Sequence, residues 1–335
     1  MPRAARKLSA VQFALALLAD AVAAAEQAQP DEAINLTLLV EKALEDADSA
    51  EARDARAAAR LVRAGQLRVL GEVKEAEATY RSVIADCTGD PEVELRYRVT
   101  AAYANVIQLR AGFGTVDEAA SLAAELVALR GADREQSIRE LVALEREGVV
   151  LRYLEAGRDE EAIAAAEQLV AALAESDVAA DRLHVARALT NGGLALRRLG
   201  REAEVLSVFQ KVIARYGAET GAVATNPPEL NALVVRVIAE CALIAAARDA
   251  EGALFIADSA LDTYRVADET DGSAELAGEL LRLRVLRARF LGGSGRREEA
   301  LAAYDEVIAE CAGAPDELRR ALAELAARDR AFFAG

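Results

Sequence analysis

One block of this chain keeps returning. GEVKEAEATYRSVIA starts at Gly71, GREAEVLSVFQKVIA at Gly200 and GRREEALAAYDEVIA at Gly295, with weaker copies GTVDEAASLAAELVA at Gly114 and GRDEEAIAAAEQLVA at Gly157. From Gly71 through Gly114 and Gly157 to Gly200 the step is 43 residues each time. One step back from Gly71 lands on Ala28, and Asp31, Glu32, Ala33 and Ile34 then match Glu160, Glu161, Ala162 and Ile163. A degenerate copy runs from Arg248 through Ala253, Leu254, Ala257 and Leu261, after a longer loop. Seven units cover the chain. A fixed period of this length predicts a stack of like supersecondary units, each covering the apolar face of its neighbour. The usual length prior would divide 335 residues into two domains. A repeat array grows in one dimension instead, so the sequence predicts a single domain over 1–335.

Within each unit the apolar residues follow a helical period. Ala76, Tyr80, Val83 and Ile84 lie at i, i+4, i+7 and i+8, and Ala300, Tyr304, Val307 and Ile308 repeat the pattern. Such spacing marks one face of an amphipathic helix. The glycine is expected to end the preceding helix with a positive φ, which glycine adopts at low cost. Acidic residues after it complement the dipole of the next helix. Another helix precedes each glycine, best seen in 182–199 and 93–109; Asp90-Pro91 reads as an N-cap followed by a first-turn proline. Each unit is thus a first helix, a tight turn and a second helix. The bias towards alanine, leucine, arginine and glutamate, with only 6 prolines, favours helix nearly everywhere.

The pattern resembles the tetratricopeptide repeat, in a variant with longer helices than the common form. The resemblance rests on Leu189, Asn191, Gly193, Leu196 and Gly200, followed by Val205, Phe209 and Val212-Ile213. Gly192 stands where the family has leucine, and Val205 where it has alanine. Tyr103, Asn105, Val106 and Gly114 repeat part of the pattern. The resemblance implies an all-α fold: an α-solenoid, a right-handed superhelix of seven helix pairs. The pairs are expected at about 7–46, 50–87, 91–130, 134–176, 178–216, 229–264 and 273–311. The last segment, 316–333, lacks a partner helix and carries Leu318, Leu322 and Leu325 on one stripe; it reads as a C-terminal capping helix. The loops 217–228, with its proline pair, and 267–273, which is acidic, are expected to be mobile.

Chemistry is sparse. His184 is the single histidine, which excludes most histidine-based triads and multi-histidine metal sites. Glu160-Glu161 and Glu298-Glu299 recur at one repeat position, as a solvated helix face does. Gly292-Gly293-Ser294-Gly295 falls in a helix–helix turn, with no strand before it and no Lys-Ser/Thr after it, so it does not read as a phosphate loop. Cys87, Cys241 and Cys311 form no CxxC pair, and Cys87 and Cys311 share one repeat position, which points to packing. No catalytic residue, cofactor or metal is expected, and the chain does not read as an enzyme. With 40 basic and 56 acidic residues the formal charge is −16, which disfavours nucleic acid as a partner.

Residues 1–25 have two readings. Arg3, Arg6 and Lys7 precede an apolar run from Leu8 to Ala19, as in a secretory signal peptide. Gln12 and Asp20 interrupt that pattern, and the repeat register requires a helix there. The cytoplasm is therefore the expected compartment, with export as the alternative. No stretch approaches a membrane span.

What remains is binding. Second helices are acidic nearly throughout, whereas first helices hold most of the arginines, including Arg60, Arg63, Arg187, Arg197, Arg198, Arg282, Arg284, Arg287 and Arg289. The resemblance places first helices along a concave groove and implies that an asparagine there reads the backbone of a bound peptide. That position holds Asn105 and Asn191, but Val62, Gly148, Ala239 and Leu286 elsewhere. Arg187, Asn191, Leu194 and Arg198 lie at i, i+4, i+7 and i+11, one stripe of a helix; Asn105 and Gln108 occupy the equivalent stripe two units earlier. With Arg282 and Arg289, these residues form the candidate groove. The arginines either recognise carboxylates of a partner or pair with glutamates inside the array. The expected function is a non-catalytic scaffold for a peptide or protein segment, which would carry acidic side chains if the arginines face it. The alternative is a sensing module that regulates a partner when a ligand fills the groove. Oligomeric state is not legible in the sequence.

Overall fold

Most of the repeat turns are built on left-handed residues. In the computed structural model, which describes residues 9–174, 176, 178–217, 222–271, 273–314 and 316–334, Gly71, Gly157, Gly200 and Gly295 have φ of 82°, 70°, 73° and 83°. The residue after each glycine donates its N–H to a carbonyl five positions back, as in Glu72 to Leu67 at 2.8 Å and Arg201 to Leu196 at 3.0 Å. These bonds satisfy carbonyls that a helix end leaves open. Ala28 makes the same turn at φ 56°, with Gln29 N–H on Ala24 O at 2.9 Å. Gly114 departs from the expectation, with φ −120°. Thr115 caps the next helix at once, in a capping box with Glu118, which leaves no place for a left-handed residue. Glycine is needed there for clearance: a Cβ would lie 2.3 Å from Glu118 Oε2 and 2.8 Å from Arg110 O.

Between these turns the described residues form fifteen α-helices and no strand. The pairs are α1 (Ala10–Glu26) with α2 (Pro30–Ala43), α3 (Ala50–Val69) with α4 (Val73–Cys87), and α5 (Val93–Phe113) with α6 (Val116–Arg130). Next come α7 (Gln136–Glu155) with α8 (Asp159–Leu173), and α9 (Ala179–Arg198) with α10 (Glu202–Tyr216). Last are α11 (Pro228–Ala246) with α12 (Ala250–Asp271), and α13 (Ala274–Gly293) with α14 (Arg297–Glu310); α15 (Glu317–Ala334) follows alone. The chain divides into two compact units, Met1–Arg152 and Tyr153–Gly335.

In the first unit each helix packs on the next from α1 to α6, and α3 also packs on both α1 and α5. Small side chains permit the close approach: Ala14 of α1 meets Ala52, Ala55 and Ala59 of α3, with Val40 and Leu44 closing the cluster. Ser9 and Gln12 form a capping box that starts α1, and Ala14, Ala21 and Ala24 bury its inner face. Arg3, Arg6, Lys7 and Leu8 of the signal-peptide reading lie outside the described residues.

In the second unit α9, α11, α13 and α15 pack in succession, while grooves open between consecutive second helices. The aromatic position of the second helices fills the core, with Phe209 and Tyr304 wholly buried, and Tyr264, at the position that holds Cys311 in the last pair, is almost wholly buried too. α15 buries Leu322 and Ala326, half-buries Leu325 and leaves Leu318 exposed. Phe333 stacks near Tyr304 at 6.2 Å, and Arg330 pairs with Asp305 at 2.6 Å. α15 thus closes the last pair.

Parts of both loops expected to be mobile carry regular structure among the described residues. Within 217–228, Ala222–Ala224 form a 3₁₀ turn, and Asn226 is buried with its amide on Tyr216 O at 2.8 Å and on Asn231 Oδ1 at 3.1 Å. Asn231 in turn donates to Val223 O at 3.0 Å. Residues 218–221 lie outside the described set. Within 267–273, α12 continues to Asp271, because no proline or glycine follows Gly252 before position 272; Gly272 itself is outside the described residues.

Candidate interaction surface

The first helices carry the residues expected to bind a partner. In the first unit, Asn105 is half-buried and donates Nδ2 to Ala101 O at 2.8 Å, one turn back on α5. Gln108 is exposed and its Nε2 reaches Glu145 of α7 at 3.4 Å. Glu145 is buried, and that burial pushes its carboxyl above the usual range against the pull of Arg152 and Gln108. Gly148, at the asparagine position, lies under Arg152, whose Nη1 would be 2.9 Å from an added Cβ.

In the second unit, α9 presents Arg187, Asn191 and Leu194, all half-buried, and Arg198, which is exposed. The Asn191 amide makes no hydrogen bond among the described residues. Its helix is held in place by both neighbours. Arg198 donates to Leu154 O at 2.7 Å and reaches Asp159 at 3.3 Å. Arg197 pairs with Glu240 of α11, a carboxylate only 3% exposed. Glu240 also accepts from Arg282 of α13 at 2.9 Å, and Glu279 of α13 accepts from Arg236 of α11 at 2.5 Å. Arg289 pairs with Asp329 of α15 at 2.5 Å.

Of the candidate cations, Arg198, Arg282 and Arg289 therefore spend their guanidinium groups on joining neighbouring helices. The same is true elsewhere of Arg60 with Glu41 and Asp86, Arg284 with Glu310, and Arg287 with Asp258. Asn105 and Gln108 lie in the first unit; Arg187, Asn191, Leu194 and Arg198 share one helix of the second; Arg282 and Arg289 face α11 and α15.

Two features escaped the sequence reading. Glu240 is a lone acid in an apolar run of α11, about one repeat from each arginine it serves; the spacing was the available signal. The other is an arginine that recurs at 53, 96, 139 and 182. Arg53 holds Asp90 at 2.8 Å, Arg96 holds Asp133 at 3.0 Å, and Arg182 holds Asn226 at 3.0 Å. Arg53, Arg96 and Arg139 also donate to the carbonyl five residues back, at 2.8, 2.5 and 2.6 Å. Each thus ties the start of a first helix to its own entry loop, and three of the four bind the loop entering the next pair. Asp90 is held below the usual carboxylate range by the Glu92 N–H and Arg53. For Asp133, burial raises the value, but the Glu135 N–H and Arg96 more than offset it.

The thiols are not poised to react. Burial pushes Cys241 up to about 11 and raises Cys87 and Cys311, whereas nucleophilic thiols are shifted down. Among the described residues no cluster of His, Cys, Asp and Glu could hold a metal ion, and no helix is long and apolar enough to cross a membrane.

No protein-family model matches the sequence, and no curated protein does. Among solved structures, the apo form of RapI matches with a TM-score of 0.59 at 12% identity, over 96% of this chain and 82% of RapI. A tetratricopeptide repeat protein from Parabacteroides merdae ATCC 43184 matches at 13% identity and a TM-score of 0.44, over 94% of this chain and 99% of that one. The apo form of the quorum sensor NprR from B. thuringiensis matches at 15% identity and a TM-score of 0.42, over 90% and 77%. The likeness to RapI extends along nearly the whole chain and shows the fold. This is an all-α protein of tetratricopeptide-like helix pairs with a closing helix.

Proposed function

We propose that the chain is a non-catalytic interaction module that binds a peptide or protein segment along its first helices, with Arg187, Asn191 and Leu194 of α9 as the central contact. The observation that carries this reading is the Asn191 amide. It is half-buried without an internal hydrogen bond, beside an apolar side chain and a cation, on a helix that Arg197 and Arg198 anchor at its far end. An amide that reaches solvent on a half-buried residue and makes no internal bond is free to pair with a ligand that supplies a partner. A segment bearing a carboxylate would compete with Asp159, Glu240 and Asp329 for their arginines, so backbone hydrogen bonding and apolar contact carry the affinity.

The test is selection of binding peptides from a displayed library on the full chain, followed by Asn191→Ala. The variant should keep its melting temperature, since no internal bond is lost, and should lose about 1–3 kcal/mol of peptide affinity. If melting falls and affinity per folded molecule does not, Asn191 holds the helices together and the binding surface lies elsewhere.

A further inference from the structure

One position of the second helices stands on the outer surface in every unit. It holds Asn35, Ala78, Ser121, Ala164, Ser207 and Ala302, all exposed and all small or polar. In α12 the same position holds Phe255, which is 75% exposed. The ring does not fill the core, and the other units show that the repeat does not require it.

Beside this ring the second unit opens a groove between α10 and α12, floored by α11, with a volume of about 410 Å³. α10 contributes Leu206 and Ile213, α11 Ile238 and Ala245, and α12 Phe255 and Ile256. None of the residues that line the groove is charged. The grooves on either side differ. Glu167, Lys211 and Arg215 line the one between α8 and α10, and Asp258, Asp262 and Glu306 with two arginines line the one between α12 and α14. The difference lies in the sequence: the repeat position that puts Lys211 and Glu306 into those grooves holds Ser259 here.

An exposed ring and an apolar groove on one surface complement each other across a twofold axis. Each copy then places its Phe255 in the groove of the other, as an isologous interface requires. A void of about 150 Å³ suffices for a benzene ring, so the groove has room for the phenylalanine ring. A foreign segment that filled the groove would leave Phe255 on its rim, whereas a second copy buries both features at once. The formal charge of −16 makes copies of the chain repel each other, but the lining of this groove adds nothing to that repulsion. Glu251 and Asp262, on the same exposed side of α12 as Phe255, leave an acidic rim. We propose that this surface is a self-association site, at which two copies of the chain exchange Phe255 rings between their α10–α12 grooves. It is independent of the reading of α9, and either can fail alone.

Sedimentation equilibrium of the full chain at up to about 200 µM tests it, since an interface centred on one pair of rings is small and therefore weak. The parent should dimerise reversibly, and more tightly at high salt, which screens the acidic rims. Phe255→Ala removes both ring contacts and should weaken the dimer about 100-fold, about tenfold for each buried ring, with helical circular dichroism unchanged. Ser259→Glu puts a carboxylate into the groove and should do the same; Glu125 and Glu306 at this repeat position show that the fold accepts it. The two variants spoil different halves of the contact. A mixture keeps one intact half, so it should associate about tenfold more tightly than either variant alone. A parent that stays monomeric would assign the groove to another occupant and overturn the proposal. So would a dimer loosened by salt, a dimer that survives either variant, or a mixture no tighter than its components.

Discussion

Two adjacent glycines of α9 should respond to the same substitution with opposite sign. At Gly193 an added Cβ would lie 2.2 Å from Phe209 Cε1 and 2.8 and 2.9 Å from two further ring carbons. Carbon atoms pack at about 3.5–4.0 Å, so the ring would have to withdraw by about 1.3 Å or more. Phe209 has no exposed surface, and Val205 and Val212 on the same face of α10 have none either. Overpacking of this kind costs about 1–3 kcal/mol, against a gain of up to about 1 kcal/mol from replacing glycine by alanine within a helix. Gly193→Ala should therefore lose up to about 2 kcal/mol. At Gly192 the nearest obstacle is Ala166 Cβ at 3.3 Å, with no other atom within 4 Å. Ala166 must yield by only a small amount, and Gly192→Ala should be neutral or gain up to about 1 kcal/mol. The assay is urea unfolding followed by far-UV circular dichroism, since the chain has no tryptophan. Amide exchange over 179–216 would locate the effect. Phe209→Leu shortens the ring and should couple favourably with Gly193→Ala in a double-mutant cycle. Equal effects at both glycines, or strict additivity with Phe209→Leu, would refute the idea that Gly193 exists to seat the Phe209 ring.

Ala28 makes a left-handed turn that glycine makes at four other repeats. An L-residue there costs roughly 1–2 kcal/mol, partly offset in the comparison by the extra chain entropy of glycine when unfolded. Ala28→Gly should thus gain up to about 1 kcal/mol in urea unfolding, and a loss would mean that the methyl group has a packing role. The acid limb of stability should depend on Asp90 and Asp133, whose folded values lie below the ordinary one. Their contribution is present above the unfolded value of about 3.9 and fades as pH falls through the folded values. An Asp90→Asn, Asp133→Asn variant should be less stable than the parent at pH 7, with the gap closing below about pH 4; a gap independent of pH would show that the ion pairs with Arg53 and Arg96 contribute nothing.

The sequence by itself determined the unit and its register. A 43-residue step, a glycine after most first helices and an apolar stripe at helical spacing are local properties. They produce helices and turns whatever the neighbours do, and they account for Tyr80, Phe209 and Tyr304 in one buried position and for Cys87 and Cys311 in another. Gly114 and the loop at 267–271 went otherwise for reasons still local: a capping box claimed the first, and an unbroken helix-forming run claimed the second. The partners of the arginines were a different matter. Whether Arg282 faces a ligand or Glu240 depends on which turn of α11 lies opposite, and a guanidinium on its long side chain can reach any of several carboxylates. Only the tertiary structure decided that these charges close on one another. It also decided that Asn191 makes no internal hydrogen bond and that Gly193 lies against the Phe209 ring, because which side chains meet across two helices is set by how the helices pack and not by either helix alone.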